Sequence, residues 1–215
     1  MKQLIVLLPF LLGLNYYAYS QKLIQKTLDV QGKKVEMKFS FADTIAIEAW
    51  TKNTIELEVS VNIDSNRYND YYEMKVKDQT TNLVLEEVIN FEAIQKKRGD
   101  QHNLHNSIIY KLKVPANLEF KLNTIAGQVE LKGSLGKMSV NSVSGFIDYA
   151  VPQNCKAKID LSTVTGNVYS NLKFDDKPNS ETMQFATNRK LVLNGGTQDI
   201  ALKTVSGDIY LRKGK

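Results

Sequence analysis

Most of what would announce a chemistry is scarce in this chain. Its 215 residues include one cysteine, two histidines, one tryptophan and four prolines. One cysteine excludes an intrachain disulfide framework and any multi-cysteine zinc site. Two histidines leave little material for an imidazole-built metal centre. The Leu4 to Leu14 apolar run falls short of the roughly 20 residues that a bilayer-spanning helix needs. Charge is not one-sided either: 28 basic residues face 23 acidic ones, a net +5. The lysines alternate with apolar residues, as in Lys111-Leu112-Lys113-Val114, which on a strand places them on the wet face and discourages edge pairing. A nucleic-acid groove calls for a concentrated basic patch with interleaved aromatics, so no nucleic-acid partner is expected. What is present is ordinary globular material, 42% hydrophobic and 24% charged, which excludes disordered, collagenous and multi-span membrane classes.

The first residues read as a leader. Met1-Lys2-Gln3 is charged, Leu4 to Leu14 is apolar, and Ala18-Tyr19-Ser20 offers small residues to a peptidase. That order fits a secretory signal peptide over residues 1–20, with Gln21 opening a mature chain of 195 residues and net charge +4. No cysteine stands at the cleavage position, so lipoprotein anchoring there is excluded. The expectation is an exported protein, periplasmic or on the cell surface, with no transmembrane segment in the mature chain.

Period-two alternation dominates the chain after residue 20. Val35-Met37-Phe39-Phe41, Ile45-Ile47-Ala49 and Ile55-Leu57-Val59-Val61-Ile63 each alternate with polar residues. Tyr72-Met74-Val76 resumes the pattern after a polar loop, Asp64 to Asp70. Glu86 to Lys97 suits a short helix or a strand equally, and Gly99 to Asn106 is a loop. Ile109 to Val114 is a strand stopped by Pro115, which cannot donate to a ladder.

From about residue 116 the chain repeats. Four segments superimpose around Gly127, Gly145, Gly166 and Gly207, with spacings of 18, 21 and 41. The last spacing is about twice the others, which predicts a degenerate rung at Met183-Gln184-Phe185-Ala186-Thr187 after an inserted loop, Asp175 to Ser180. Seven and five residues before each glycine the columns are apolar: Phe120, Met138, Ile159, Ile200 and Leu122, Val140, Leu161, Leu202. Three before stand the hydroxyls Thr124, Ser142, Thr163 and Thr204. Two before stand Ile125, Val143, Val164 and Val205; two after stand Val129, Ile147, Val168 and Ile209. A strand cannot change apolar phase without a corner, so each hydroxyl-apolar pair marks a bend. The glycine beside it allows positive φ or close stacking. These columns predict an all-β fold: a single-stranded β-helix, or solenoid, with rungs of about 20 residues. Residues 35–115 would be its irregular strand-rich part and 116–213 its repeating rungs, in one domain over 21–215. The two-before column would line its interior. The basic tail Arg212-Lys213-Gly214-Lys215 would cap its open end, with no sorting domain or second anchor beyond.

The run from Leu193 to Ile209, with its Lys203-Thr204-Val205-Ser206-Gly207-Asp208-Ile209 rung, resembles the closing segment of a bacterial family known as putative adhesins. That family is a domain of unknown function also described as auto-transporter adhesin head, or GIN-like. Ile109 to Pro115 followed by Leu122-Asn123-Thr124, and Ile45 to Trp50 with Asn53, resemble it too. The likeness spans most of residues 35–213. It implies an exported, non-enzymatic β-solenoid and carries over no catalytic position. The degenerate rung before Leu191 departs from the pattern.

Candidate chemistry is sparse. Carboxylates for glycoside hydrolysis must lie about 5–9 Å apart, and Glu130 and Asp148 are the stacked acidic pair. His102 and His105 with Asp100 fall in a polar loop without metal-site spacing. Cys155 lacks a nucleophile frame and reads as a small buried hydrophobe. Gly195-Gly196 reads as a turn, since no Lys-Ser/Thr comes after it. Trp50 reads as core, which leaves the Tyr68, Tyr71 and Tyr72 cluster as the ligand-contact candidate. No catalytic, metal or cofactor site is expected. The expected function is an adhesin-like envelope or surface protein that binds or scaffolds, its partner an envelope protein or a glycan. The alternatives are a carbohydrate-active solenoid enzyme, or a periplasmic regulatory or assembly partner of an envelope complex.

Overall fold

A computed structural model describes residues 20–99, 104–175, 183–185 and 188–214. The leader, His102 and the inserted loop from 176 lie outside the described residues. The first half forms β1 (Lys22–Asp29), β2 (Lys34–Lys38), β3 (Thr44–Trp50), β4 (Thr54–Ile63), β5 (Tyr72–Asp78) and β6 (Asn82–Ile89). A helix, α1 (Phe91–Arg98), leads to β7 (Asn106–Pro115), β8 (Phe120–Thr124), β9 (Gln128–Lys132), β10 (Met138–Ser144) and β11 (Ile147–Val151). Then come β12 (Ala157–Thr165), β13 (Val168–Ser170), β14 (Met183–Phe185), β15 (Asn188–Leu193), β16 (Gln198–Ser206) and β17 (Ile209–Lys213).

These strands form two mixed sheets, one of nine strands in the order β1-β4-β7-β3-β9-β11-β17-β13-β14 and one of eight in the order β15-β12-β16-β10-β8-β2-β6-β5. This overturns the single-stranded solenoid. The arrangement is sandwich-like, both sheets are open, and the repeats are not stacked in chain order. Each repeat places one strand in the eight-stranded sheet, turns at its glycine and places the next in the nine-stranded sheet. The final repeat, β16–β17, inserts between β10–β11 and β12–β13. The columns are alike from repeat to repeat, so any order that keeps them in register buries the same side chains.

Three further expectations change with it. The degenerate rung is no rung: β14 pairs antiparallel with β13, and residues 186–187 lie outside the described residues. Arg212 and Lys213 cap no open end, because β17 sits between β11 and β13. The repeat also reaches upstream of 116, since β2–β3 pairs parallel with β8–β9 in both sheets.

The inner faces hold the predicted apolar columns, Phe120, Met138, Ile200 and Ile159 in one row and Leu122, Val140, Leu202 and Leu161 in the next. Each such burial contributes about 1.5–3 kcal/mol. The two-before column does not join them. The Thr124, Ser142, Thr163 and Thr204 hydroxyls turn inward instead and are buried. There they donate to corner carbonyls: Thr124 to Ala126 at 2.6 Å, Ser142 to Ser144 at 2.9 Å and Thr163 to Gly207 at 2.9 Å. A tight corner leaves carbonyls without ladder partners, and a buried carbonyl needs a donor. With the hydroxyl inside, strict alternation sends Ile125, Val143, Val205 and Val164 outward.

The glycines are fixed by proximity. A Cβ on Gly145 would lie 2.1 Å from the Gly127 carbonyl oxygen, one on Gly207 2.1 Å from that of Gly145, and one on Gly166 2.1 Å from that of Gly207. Gly145 also has φ of 105°. The remaining polar connections behave locally: Asn90 caps α1 by accepting from the Ala93 N–H at 3.0 Å, and Asn194-Gly195-Gly196 makes the predicted turn at positive φ. On edge strand β1, Lys22 points inward and donates to the Asn69 and Tyr72 carbonyls at 3.3 and 3.1 Å. An inward-pointing charge of this kind discourages another strand from adding to the edge.

Candidate binding groove along the corner

Seven large hydrophobic side chains are exposed among the described residues, and four of them lie on one line. Val164, Val205, Val143 and Ile125 stack along the corner with exposures of 65, 48, 49 and 50%. The corner itself continues into the N-terminal half. Lys38 pairs with Asn123 and Thr44 with Gln128, so the corner between β2 and β3 runs beside that of β8–β9, with Ser40 in the Ile125 position and Phe41 one residue on. Phe41 in turn meets Phe91 of α1 edge-on, centroids 4.8 Å apart. Phe41 and Phe91 are 40% and 37% exposed. A contiguous apolar strip rimmed by polar groups is the usual mark of an interaction surface.

Beside the ridge runs a groove of about 620 Å³ on the outer face of the eight-stranded sheet. Its floor is the row Ser162, Lys203, Asn141, Asn123 and Lys38, one residue from each of five adjacent strands. Asn141 Nδ2 donates to Asn123 Oδ1 at 3.2 Å, which orients both amides. Among the described residues the charged groups lining this groove are Lys38 and Lys203, both cationic. Each leans towards a carboxylate one row away, Glu36 and Asp160, at 3.8 Å. A larger hollow of about 1020 Å³ on the same sheet is lined by both signs, and Glu119 there meets Lys137 at 3.5 Å and Lys34 at 3.8 Å.

The outer face of the nine-stranded sheet carries a second cluster. Tyr169 and Tyr210 stack at 5.3 Å and Phe146 meets Tyr210 edge-on at 6.0 Å. Tyr210 donates to Asp208 at 3.1 Å, and burial together with that bond raises its pKa. Glu130 and Asp148 do stand side by side. Asp148, however, accepts from Arg212 through both oxygens, at 2.7 and 2.6 Å.

Among the described residues, the other sequence candidates do not gather into one site. Tyr68 and Tyr72 are buried in the core; Tyr71 is half-buried, its ring 6.1 Å from that of Tyr68 and with the Lys97 ammonium 5.7 Å above it. The three do not form one exposed platform. Trp50 is half-buried rather than core, donating to the Thr54 carbonyl at 2.7 Å with Lys52 and Lys113 over its ring. Outward positions of β3 are even-numbered, which sets its direction. His105 is exposed, and Asp100 and His102 lie outside the described residues. Cys155 is half-buried against the core, and burial raises its thiol pKa. No group of three or more metal-ligating side chains occurs among the described residues, and no helix there is long and apolar enough to cross a membrane.

Sequence reasoning named the ridge residues but put them inside. A signal was available: a hydroxyl in every repeat at the third position before glycine is a recurrent carbonyl partner, and it competes with the apolar neighbour for the inner face.

No protein-family description matches the chain, and no curated protein matches it in sequence. Among solved structures, a "putative cell adhesion protein" from Clostridium sporogenes aligns over 90% of this chain and 100% of that one, with 13% identity and a TM-score of 0.54. A "putative adhesin" from Bacteroides fragilis aligns over 90% of this chain and 98% of that one, with 10% identity and a TM-score of 0.33. The chain thus shares its fold with the clostridial protein.

Proposed function

We propose that this is an exported, non-catalytic, adhesin-like protein of the bacterial envelope or cell surface that holds its partner along the corner ridge. The observation that carries this reading is the alignment of four of the seven exposed apolar side chains, Ile125, Val143, Val205 and Val164, in one row beside a polar groove. Export rests on the signal-peptide pattern of residues 1–20, with 21–215 as the mature domain. The resemblance to the adhesin family and the fold shared with a protein named for cell adhesion point the same way. The non-catalytic reading is supported by Asp148, which stands beside Glu130 but has both carboxylate oxygens committed to Arg212.

Two measurements test it together. Fractionation of tagged full chain with surface protease accessibility locates the protein; recovery in the cytoplasm overturns export. Beads coated with the purified protein should retain isolated cell envelopes, and Val143→Asp with Val205→Asp should abolish retention while leaving the far-ultraviolet spectrum unchanged. Retention that survives both substitutions overturns the ridge as the binding surface.

A further inference from the structure

We infer that the occupant of the corner groove is an extended acidic glycan, lying along the stack of strands and perpendicular to them. The inference rests on the binding role proposed above and assigns its ligand class.

Repeat distance comes first. Each strand adds one outward aliphatic side chain to the ridge and one polar side chain to the floor, at the inter-strand spacing of about 4.8 Å. A β-linked pyranose chain advances one ring per step over a similar distance. Each ring can therefore set an apolar ring face or an acyl methyl against Ile125, Val143, Val205 or Val164. Its hydroxyls can meet Asn123, Asn141 and Ser162. An extended peptide fits poorly, because same-facing side chains repeat at about 6.8 Å and fall out of step within two strands.

Charge comes second. The groove is lined by Lys38 and Lys203 and by no carboxylate among the described residues. These lysines stand three strands apart on the floor row, about 14 Å. A ligand carboxylate can replace the 3.8 Å contact each makes with Glu36 or Asp160. Area comes third. A strip of four partly exposed side chains is small against the roughly 1,200 Å² of a stable protein interface, so a second copy of this chain or a folded partner is not the fit. It suits a thin polymer.

The test uses hyaluronan-derived oligosaccharides, which alternate N-acetylhexosamine and hexuronate, in a series from two rings to ten, with uncharged chitin oligomers of matching length. In titration calorimetry on the full mature chain, affinity should rise with length up to about four or five rings, the span of five strands, and then level off. The acidic series should bind at least ten-fold more tightly than the uncharged one at low salt, and Lys203→Glu should remove that preference. Val143→Ser with Val205→Ser should weaken both series at least ten-fold, whereas Tyr169→Ala, on the other sheet, should change neither. Absence of binding, affinity independent of length, or loss on Tyr169→Ala with groove variants unaffected would each overturn the glycan assignment. Envelope retention that depends on the ridge, but is not competed by any oligosaccharide, would sink the glycan and leave the adhesin-like role standing. Ridge-independent retention would sink both. Binding to anionic vesicles or self-association through the ridge, without glycan binding, likewise overturns it.

Discussion

Asp148 and Arg212, 64 residues apart in the chain, form a two-point ion pair with N–O distances of 2.7 and 2.6 Å. Repeats stacked in chain order would separate them by the Gly166 repeat. They meet because β17 lies directly against β11, with Asp148 opposite Tyr210. The pair is a local reporter of a long-range choice.

That choice can be trapped covalently. In a Cys155→Ala background, Asp148→Cys with Tyr210→Cys should oxidise readily, since the two positions are cross-strand partners. Asp148→Cys with Tyr169→Cys should not, being two strands apart, about 9.6 Å, beyond the roughly 7 Å limit for bridging. Mass analysis of peptides under non-reducing conditions distinguishes them, and the opposite pattern would restore chain-order stacking.

Glycine substitutions should divide by crowding. Gly145→Ala places a methyl 2.1 Å from the Gly127 carbonyl oxygen at φ of 105°, and should cost about 3 kcal/mol or more. Gly32→Ala shares a positive φ of 72° but meets nothing within 4 Å, so it should cost only about 1 kcal/mol. Urea unfolding of both variants gives the comparison; equal losses would mean that strand stacking is not what requires glycine.

The buried hydroxyls should be worth more than their size. Thr163→Val keeps the volume and removes the donor to the Gly207 carbonyl, leaving a buried acceptor unpaired at a cost of about 1–3 kcal/mol. Val164→Thr, one residue on and exposed, should change stability by less than about 0.5 kcal/mol. If the two are equivalent in denaturation, the corner does not depend on its hydroxyl.

Glu87 should make stability pH-dependent. It reaches across the interior from β6 to Tyr110 on β7, whose hydroxyl donates to it, while Tyr72 lies 2.9 Å from Tyr110 and donates in turn. Burial raises the Glu87 pKa against the opposing bonds from Tyr110 and the Phe41 N–H. As pH rises, the unfolded chain therefore loses this proton before the folded one does. The stability that Glu87 contributes is full below the ordinary carboxylate pKa and is lost as pH climbs through its raised folded value. Urea midpoints measured from about pH 4 to pH 7 should fall relative to those of Glu87→Gln, and parallel curves would contradict the assignment.

Much of this fold was legible in single residues. Leu122, Val140, Leu161 and Leu202 announced an inner row, and Gly127, Gly145, Gly166 and Gly207 announced corners; the structure agrees on both. The β2–β3 repeat escaped notice because Ala42 stands where the others have glycine, and its carbonyl is what Gly127 packs against. The ridge escaped because Val143 and its equivalents are apolar, and apolar columns are ordinarily assigned to the interior. Here the neighbouring hydroxyl takes the inner place, since an unpaired corner carbonyl costs more than an exposed valine.

The sequence by itself determined the all-β class, the alternation that sets two faces on each strand, and the sites where the chain turns. All of these come from local rules, side-chain alternation and the space a glycine leaves free. Only the tertiary structure decided which repeat lies beside which, and hence that there are two sheets rather than one coil. Four chemically equivalent repeats satisfy the same burial in any order, so local pattern is degenerate there. The order emerges from contacts made once, such as Asp148 with Arg212 and the antiparallel pairing of β15 with β12. The same ordering aligns Val164, Val205, Val143 and Ile125 into the unbroken ridge on which the proposed function rests.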